Sequence, residues 1–200
     1  MCPCRTNVPL RSAFEATAEG SPPSFDGVTS RRFEFPDGSL YEVVVPSAAT
    51  NGAKSEVEIT LPPASVTPPP HIHPQQQETC TVGDGTLEVL LGREWRTLLA
   101  GESLAIPAGA VHTFRNRSGQ NVSFRSEHIP ALGFQQYLER LYWLSAMNRI
   151  RGRRDLTSAL YASLLLDMHR GDQMPAGTGA RMGVRALASV ARLLRLRVDR

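Results

Sequence analysis

Apolar and polar residues alternate in short runs through the middle of the chain and then change period. Phe33 and Phe35 alternate with polar neighbours, the turn formers Pro36, Asp37, Gly38 and Ser39 follow, and 40–45 is extended again, so a β-hairpin is predicted from Arg31 onward. The same alternation predicts strands at 56–61, 71–73, 78–82, 86–91, 94–98, 103–106, 111–115 and 122–127. Short strands at this spacing, punctuated by Gly and Pro, give a mainly β fold class, an antiparallel sandwich or barrel. Beyond Pro130 the apolar period becomes about 3.6, with Phe134, Tyr137, Leu138, Leu141, Tyr142, Leu144 and Ile150 largely on one helical face. A second apolar helix is expected over 156–169, capped by Asp155 or Thr157, and a third over 184–198 after the Gly/Pro-containing break 171–179.

The chain therefore divides into a loose arm (1–30), a barrel (31–130) and helices (131–200). The arm mixes Pro, Ser, Gly and Ala without a sustained period. Within the barrel, alternation sets directions. With Glu78 inward, Cys80 and Val82 share its face, and with His112 inward, Phe114 and Asn116 share that one. Gln77 points the other way, and Arg115, Arg125, Glu127 and His128 fall on outward or terminal positions.

Two stretches carry candidate chemistry. In the first, His71 and His73 are two apart and project from one face of a strand, and Glu78 lies far enough on to return across a turn. In the second, Pro107 and Gly109 mark a tight turn that places His112 early on the next strand. Three imidazoles and a carboxylate can converge, a donor set that suits first-row divalent ions. A closed thiolate-rich zinc site is disfavoured, since Cys2, Cys4 and Cys80 form no convergent set.

These residues resemble the cupins. His71, His73, Glu78 and Gly85 match the pattern H-x-H-x(3,4)-E-x6-G, and Gly101, Pro107, Gly109, His112 and Asn116 match G-x5-P-x-G-x2-H-x3-N at every fixed position. One position departs, since Ser65 stands where the first motif usually opens on Gly. The resemblance implies a double-stranded β-helix, or jelly roll, followed here by helices. It also implies one divalent ion (Fe, Ni, Mn or Zn) on His71, His73, Glu78 and His112, with Glu78 as ligand or as a base beside the ion. Cys80, Val82, Leu87, Val89 and Phe114 are expected to line a small cavity around it, Cys80 more as an apolar filler than as a reactive thiol. Asn116, Gly85, Gly101, Pro107 and Gly109 are read as turn formers.

Composition sets limits. Two hundred residues, 41% hydrophobic and 20% charged, suit one domain with appendages. No apolar run approaches a membrane span and no secretory leader is evident, so a cytoplasmic protein is expected. The sparse, odd cysteine count agrees with a reducing compartment. Residues 1–130 carry 10 basic and 14 acidic groups, and 131–200 carry 12 and 5, so the net +3 is C-terminal. The basic helix at 184–198 is expected to pack on the barrel or a partner subunit, with peripheral membrane contact the lesser alternative. Few aromatics and no recognition motif accompany it, which argues against nucleic acid.

Cupin folds carry many reactions, so the resemblance leaves function open. The leading expectation is a metal-dependent enzyme on a small organic substrate, similar to quercetinase-type dioxygenases in its three-His, one-Glu set. A non-redox cyclase or isomerase, and a non-catalytic small-ligand sensor, are the alternatives. A homodimer is expected, because cupin barrels commonly pair and the apolar first helix needs a surface to cover it.

Overall fold

In a computed structural model, the predicted strands close into two antiparallel sheets; residues 32–65, 68–152 and 155–198 are described. The arm expected over 1–30, with Cys2 and Cys4, lies outside the described residues. The first sheet runs in the order β1 (Arg32–Glu34), β2 (Leu40–Val45), β3 (Ser55–Leu61), β10 (Val122–Ile129), β5 (Gln77–Asp84) and β8 (Ser103–Ile106). The second holds β11 (Met174–Pro175), β4 (His71–Ile72), β9 (His112–Arg115), β6 (Thr86–Leu91) and β7 (Glu94–Leu99).

The alternation read from the sequence is what fills the space between them. Val57, Ile59 and Leu61 of β3, Cys80 and Val82 of β5, Leu87 and Val89 of β6, Phe114 of β9, and Val122 and Phe124 of β10 form one buried cluster. Turns fix the registers. The Asp37 carboxylate accepts from Ser39 N at 3.0 Å and Ser39 Oγ at 2.6 Å, which closes the first hairpin. Gly85 joins β5 to β6 at φ +80°, and a Cβ there would lie 2.9 Å from the Asn121 carbonyl oxygen, so both backbone conformation and space demand glycine. Asn116 donates to the Leu61 and Gln120 carbonyls and accepts from Ser118, shaping the turn ahead of β10.

Helix α1 (Phe134–Ala146) lays Phe134, Leu138 and Tyr142 on the barrel core, where Tyr142 tilts against Phe33 at 5.2 Å between ring centres. Its Tyr137, Leu141 and Leu144 join α2 (Leu156–Met168) and α3 (Thr178–Leu193) in a second apolar cluster. The surface that the apolar first helix was expected to need is supplied by the barrel and by α2 and α3. Asp155 caps α2, its side chain accepting from Ser158 N.

Three expectations are corrected. The third helix spans 178–193 rather than 184–198. It starts early because Gly177 precedes it in extended conformation, and it stops where Arg195 turns left-handed (φ 55°) and Leu196 N bonds back to Ala191 O. Ala188 and Ala191 allow α3 to sit close on α2, while Met182, Val190, Leu193 and Leu194 stay exposed. Second, the segment 171–179 is not a simple break, since Met174 and Pro175 pair with Ile72 and His71. Third, β10 continues to Ile129, so His128 faces inward and is buried. Among the outward residues, Glu127 pairs with Lys54, and Arg115 pairs with Glu88 and stacks on Trp95.

Candidate metal centre

Adjacent strands bring the histidines together. His71 of β4 is the register partner of His112 of β9, and their ring centres lie 4.3 Å apart. His73 leaves the end of β4 and is held by the second motif's turn, because Gly109 N donates to the His73 carbonyl at 2.8 Å. Glu78 reaches the same point from β5 in the other sheet. One donor atom from each of His71, His73, Glu78 and His112 can be chosen so that all lie within 4.8 Å of one another, and all four side chains are buried.

Each imidazole has its outer nitrogen tied to a backbone carbonyl. His71 Nδ1 donates to Pro69 O (3.1 Å), His112 Nδ1 to Ala110 O (3.0 Å) and His73 Nδ1 to Asp172 O (2.7 Å). A carbonyl can only accept, so each Nδ1 carries the proton and each neutral ring presents its lone pair on Nε2. This is the tautomer that divalent metal ligation uses.

The inner atoms are left in want of a cation. Glu78 Oε2 lies 2.9 Å from His112 Nε2 and 3.4 Å from His73 Nε2, yet Glu78 Oε2 and His112 Nε2 are buried with no hydrogen bond of acceptable geometry. Lone pairs facing one another in a dry site are costly unless a proton or a metal ion stands between them. Titration reflects the same demand. Burial pushes the His112 imidazole down, but the Glu78 carboxylate outweighs burial and leaves it above its ordinary value. Burial would raise Glu78, whereas His112 and then His73 hold it well below the usual carboxylate range. His71 falls to about 3, through burial and then its imidazole neighbours His112 and His73. The residues present fit a single divalent ion.

A buried polar chain behind Glu78 escaped the sequence reading. Ser126 Oγ lies 2.6 Å from Glu78 Oε1 and 2.9 Å from His128 Nε2, two acceptors that share its single hydrogen, and His128 Nδ1 donates to Gln76 Oε1 at 3.1 Å. Gln76 spends its amide hydrogens on the Pro130 and Ala131 carbonyls, which fixes its oxygen toward His128. Phe134 of α1 stacks on His128 at 3.8 Å between ring centres and meets His73 edge-on at 6.0 Å. The signal for His128 was available: the inward set Val122, Phe124, Ser126 continues to it at period two.

Burial lowers the His128 imidazole to about 3. The folded chain therefore refuses a proton that the unfolded chain takes near pH 6.5, and stability present above that pH is lost as pH falls toward 3. Metal-free protein should lose stability over this window, at up to ~1.4 kcal/mol per pH unit for each such group. Denaturation at stepped pH, beside His128→Leu, checks it; identical slopes in both proteins would remove His128 as a source.

The residues expected to line a cavity sit deep in the barrel core. Cys80, Val82, Leu87, Val89 and Phe114 are at most 5% exposed. Burial and then the Glu78 charge raise the Cys80 thiol well above its usual range, which suits an inert filler.

The cupin domain family model matches residues 57–126. No curated protein matches the chain. Among solved structures, the chain is similar to a conserved double-stranded β-helix protein from Klebsiella pneumoniae at 25% identity, over 47% of this chain and 78% of that one, TM-score 0.42. It is similar to the cupin domain of an XRE family transcriptional regulator from Enterobacter cloacae at 25% identity, over 46% and 95%, TM-score 0.41. A sugar phosphate isomerase of the cupin superfamily from Silicibacter pomeroyi matches at 23% identity, over 46% and 60%, TM-score 0.42.

Proposed function

We propose that residues 57–126, which match the cupin domain family model, form a cupin domain, and that this chain is a metal-dependent enzyme acting on a small organic substrate, with dioxygenase-type oxidation as the leading chemistry. The observation that carries this reading is the set of carbonyl-fixed imidazoles whose free Nε2 atoms converge on an unpartnered Glu78 oxygen. His71, His73, His112 and Glu78 would hold the ion. When bound, it would supply Lewis acidity and, as iron or nickel, redox chemistry.

Glu78 is better suited to ligation than to proton abstraction. Its Oε1 is occupied by Ser126, with the Cys80 thiol also donating at 3.5 Å, and its Oε2 faces the imidazoles. Of the four residues His71 is the most exposed, at 8%, so a substrate would reach the ion from its side of the site. The buried apolar residues below the site would exclude water from the reacting group.

A non-redox cyclase or isomerase shares the same ligands, and zinc in place of iron or nickel would favour it. The deciding experiment is metal content per chain by mass spectrometry on untagged protein, beside a His73→Ala, His112→Ala double variant. Near-equimolar metal, lost in the variant, is expected, and its identity separates redox from non-redox chemistry. No metal, or equal metal in both, would leave a non-catalytic ligand-binding barrel.

A further inference from the structure

The three imidazoles are not held alike. His71 and His112 each use a carbonyl two residues earlier in the chain, just ahead of their own strands, whereas the acceptor for His73 is the Asp172 carbonyl, 99 residues away. We propose that the segment 169–175, delivered by the C-terminal helices, is an integral support of the metal centre, with Asp172 as the positioning residue. Docking of this strap and affinity for the ion are then one coupled equilibrium. This rests on the four-ligand reading given above.

The strap is anchored on both sides of Asp172. Downstream, Met174 and Pro175 pair with Ile72 and His71, and Ala176 N donates to Pro70 O at 3.1 Å, so β11 lies along the ligand-bearing strand. At Asp172 itself, Oδ1 accepts from Gly133 N (3.0 Å) and Oδ2 from His169 Nδ1 (2.8 Å). Arg140 of α1 donates to His169 Nε2 at 2.7 Å, which leaves the His169 proton on Nδ1 and aimed at Asp172. Every hydrogen in this series has a consistent owner. The Asp172 side chain ties the strap to the start of α1, and its carbonyl orients His73.

The fit is tight at Gly133, where a Cβ would lie 2.3 Å from Asp172 Oδ2. A Cβ at Gly133 meets only the Asp172 carboxyl atoms, so Gly133→Ala displaces that carboxylate and loosens the strap's anchor without altering the metal donors. Loss of an outer partner of a ligating His lowers affinity about 10–100-fold. Coupling is reciprocal, so the ion must also hold the strap down.

The test is cobalt(II) titration of full-length protein, read by the visible absorption of the bound ion, together with amide hydrogen exchange over 169–176. Wild type should bind one ion and slow exchange at Asp172 to Ala176 on binding. Gly133→Ala should bind about 10–100-fold more weakly, with an altered cobalt spectrum and faster exchange in the strap. Asp172→Ala removes the same anchors without a clash, and serves if Gly133→Ala fails to fold. Wild-type affinity and spectrum in a folded variant whose strap exchanges faster would overturn the proposal while leaving the metal reading intact. A wild-type chain that takes up no cobalt would overturn both.

Discussion

Adding zinc to metal-free protein should stabilise the fold by about 4 kcal/mol once free ion exceeds its dissociation constant a thousandfold, and His112→Ala should abolish the gain. The folded site holds Glu78 Oε2 and His112 Nε2 in place without hydrogen-bond partners, 2.9 Å apart. No equivalent arrangement exists in the unfolded chain, so the ion binds the native state selectively and its binding energy becomes folding energy. His112 is the sharpest probe, because it is 1% exposed and its Nε2 makes the closest approach to Glu78. Thermal or denaturant midpoints across a zinc series give the measurement. A flat series in wild type, or an equal rise in His112→Ala, would mean that these donors do not hold the ion.

Phe124→Ala should cost about 3–5 kcal/mol with or without metal, a large part of the roughly 5–15 kcal/mol that holds a domain together. Phe124 is fully buried on β10, facing Ile59 of β3 and Val82 of β5 across the ladders. Its ring meets Phe114 edge-on at 5.0 Å, and Phe114 comes from the opposite sheet. The pair is where the two sheets interlock beneath the ligands. Truncation would leave a void that rigid strands on either side cannot collapse into. Urea denaturation decides it, and a loss below about 1 kcal/mol would show that closure of the sheets does not depend on this ring.

Most of the barrel was legible because its strands alternate and its turns carry residues with fixed backbone preferences. Pro107 and Gly109 set His112 early on its strand, the two-residue spacing sets His71 and His73 on one face, and these side chains fall in one cluster with Glu78. What was missed depends on distant partners. Ser126 and His128 look like ordinary polar residues at the end of a strand, and it is Gln76, fifty-two residues from His128, that gives the Nδ1 of that buried imidazole an acceptor. The strand at Met174 is two residues long and contains a proline, a residue that normally argues against strand pairing. It is tolerated here because β11 is the outermost strand of its sheet. The third helix begins ahead of its expected start because packing of α3 on α2 outweighs the poor helix propensity of Gly179 and Gly183.

The pairing of β11 with β4 also sets an order of events on the ribosome. All four candidate ligands are synthesised before β10 ends at Ile129, but Asp172 follows about forty residues later, a delay of roughly 2–9 s at about 5–20 residues per second. During that interval the nascent barrel offers His73 no carbonyl from the strap, and β4 has an open edge. If the strap supports the site as proposed, an ion taken up by the nascent barrel would be held about 10–100-fold less tightly than by the completed chain, and would exchange until the C-terminal helices arrive.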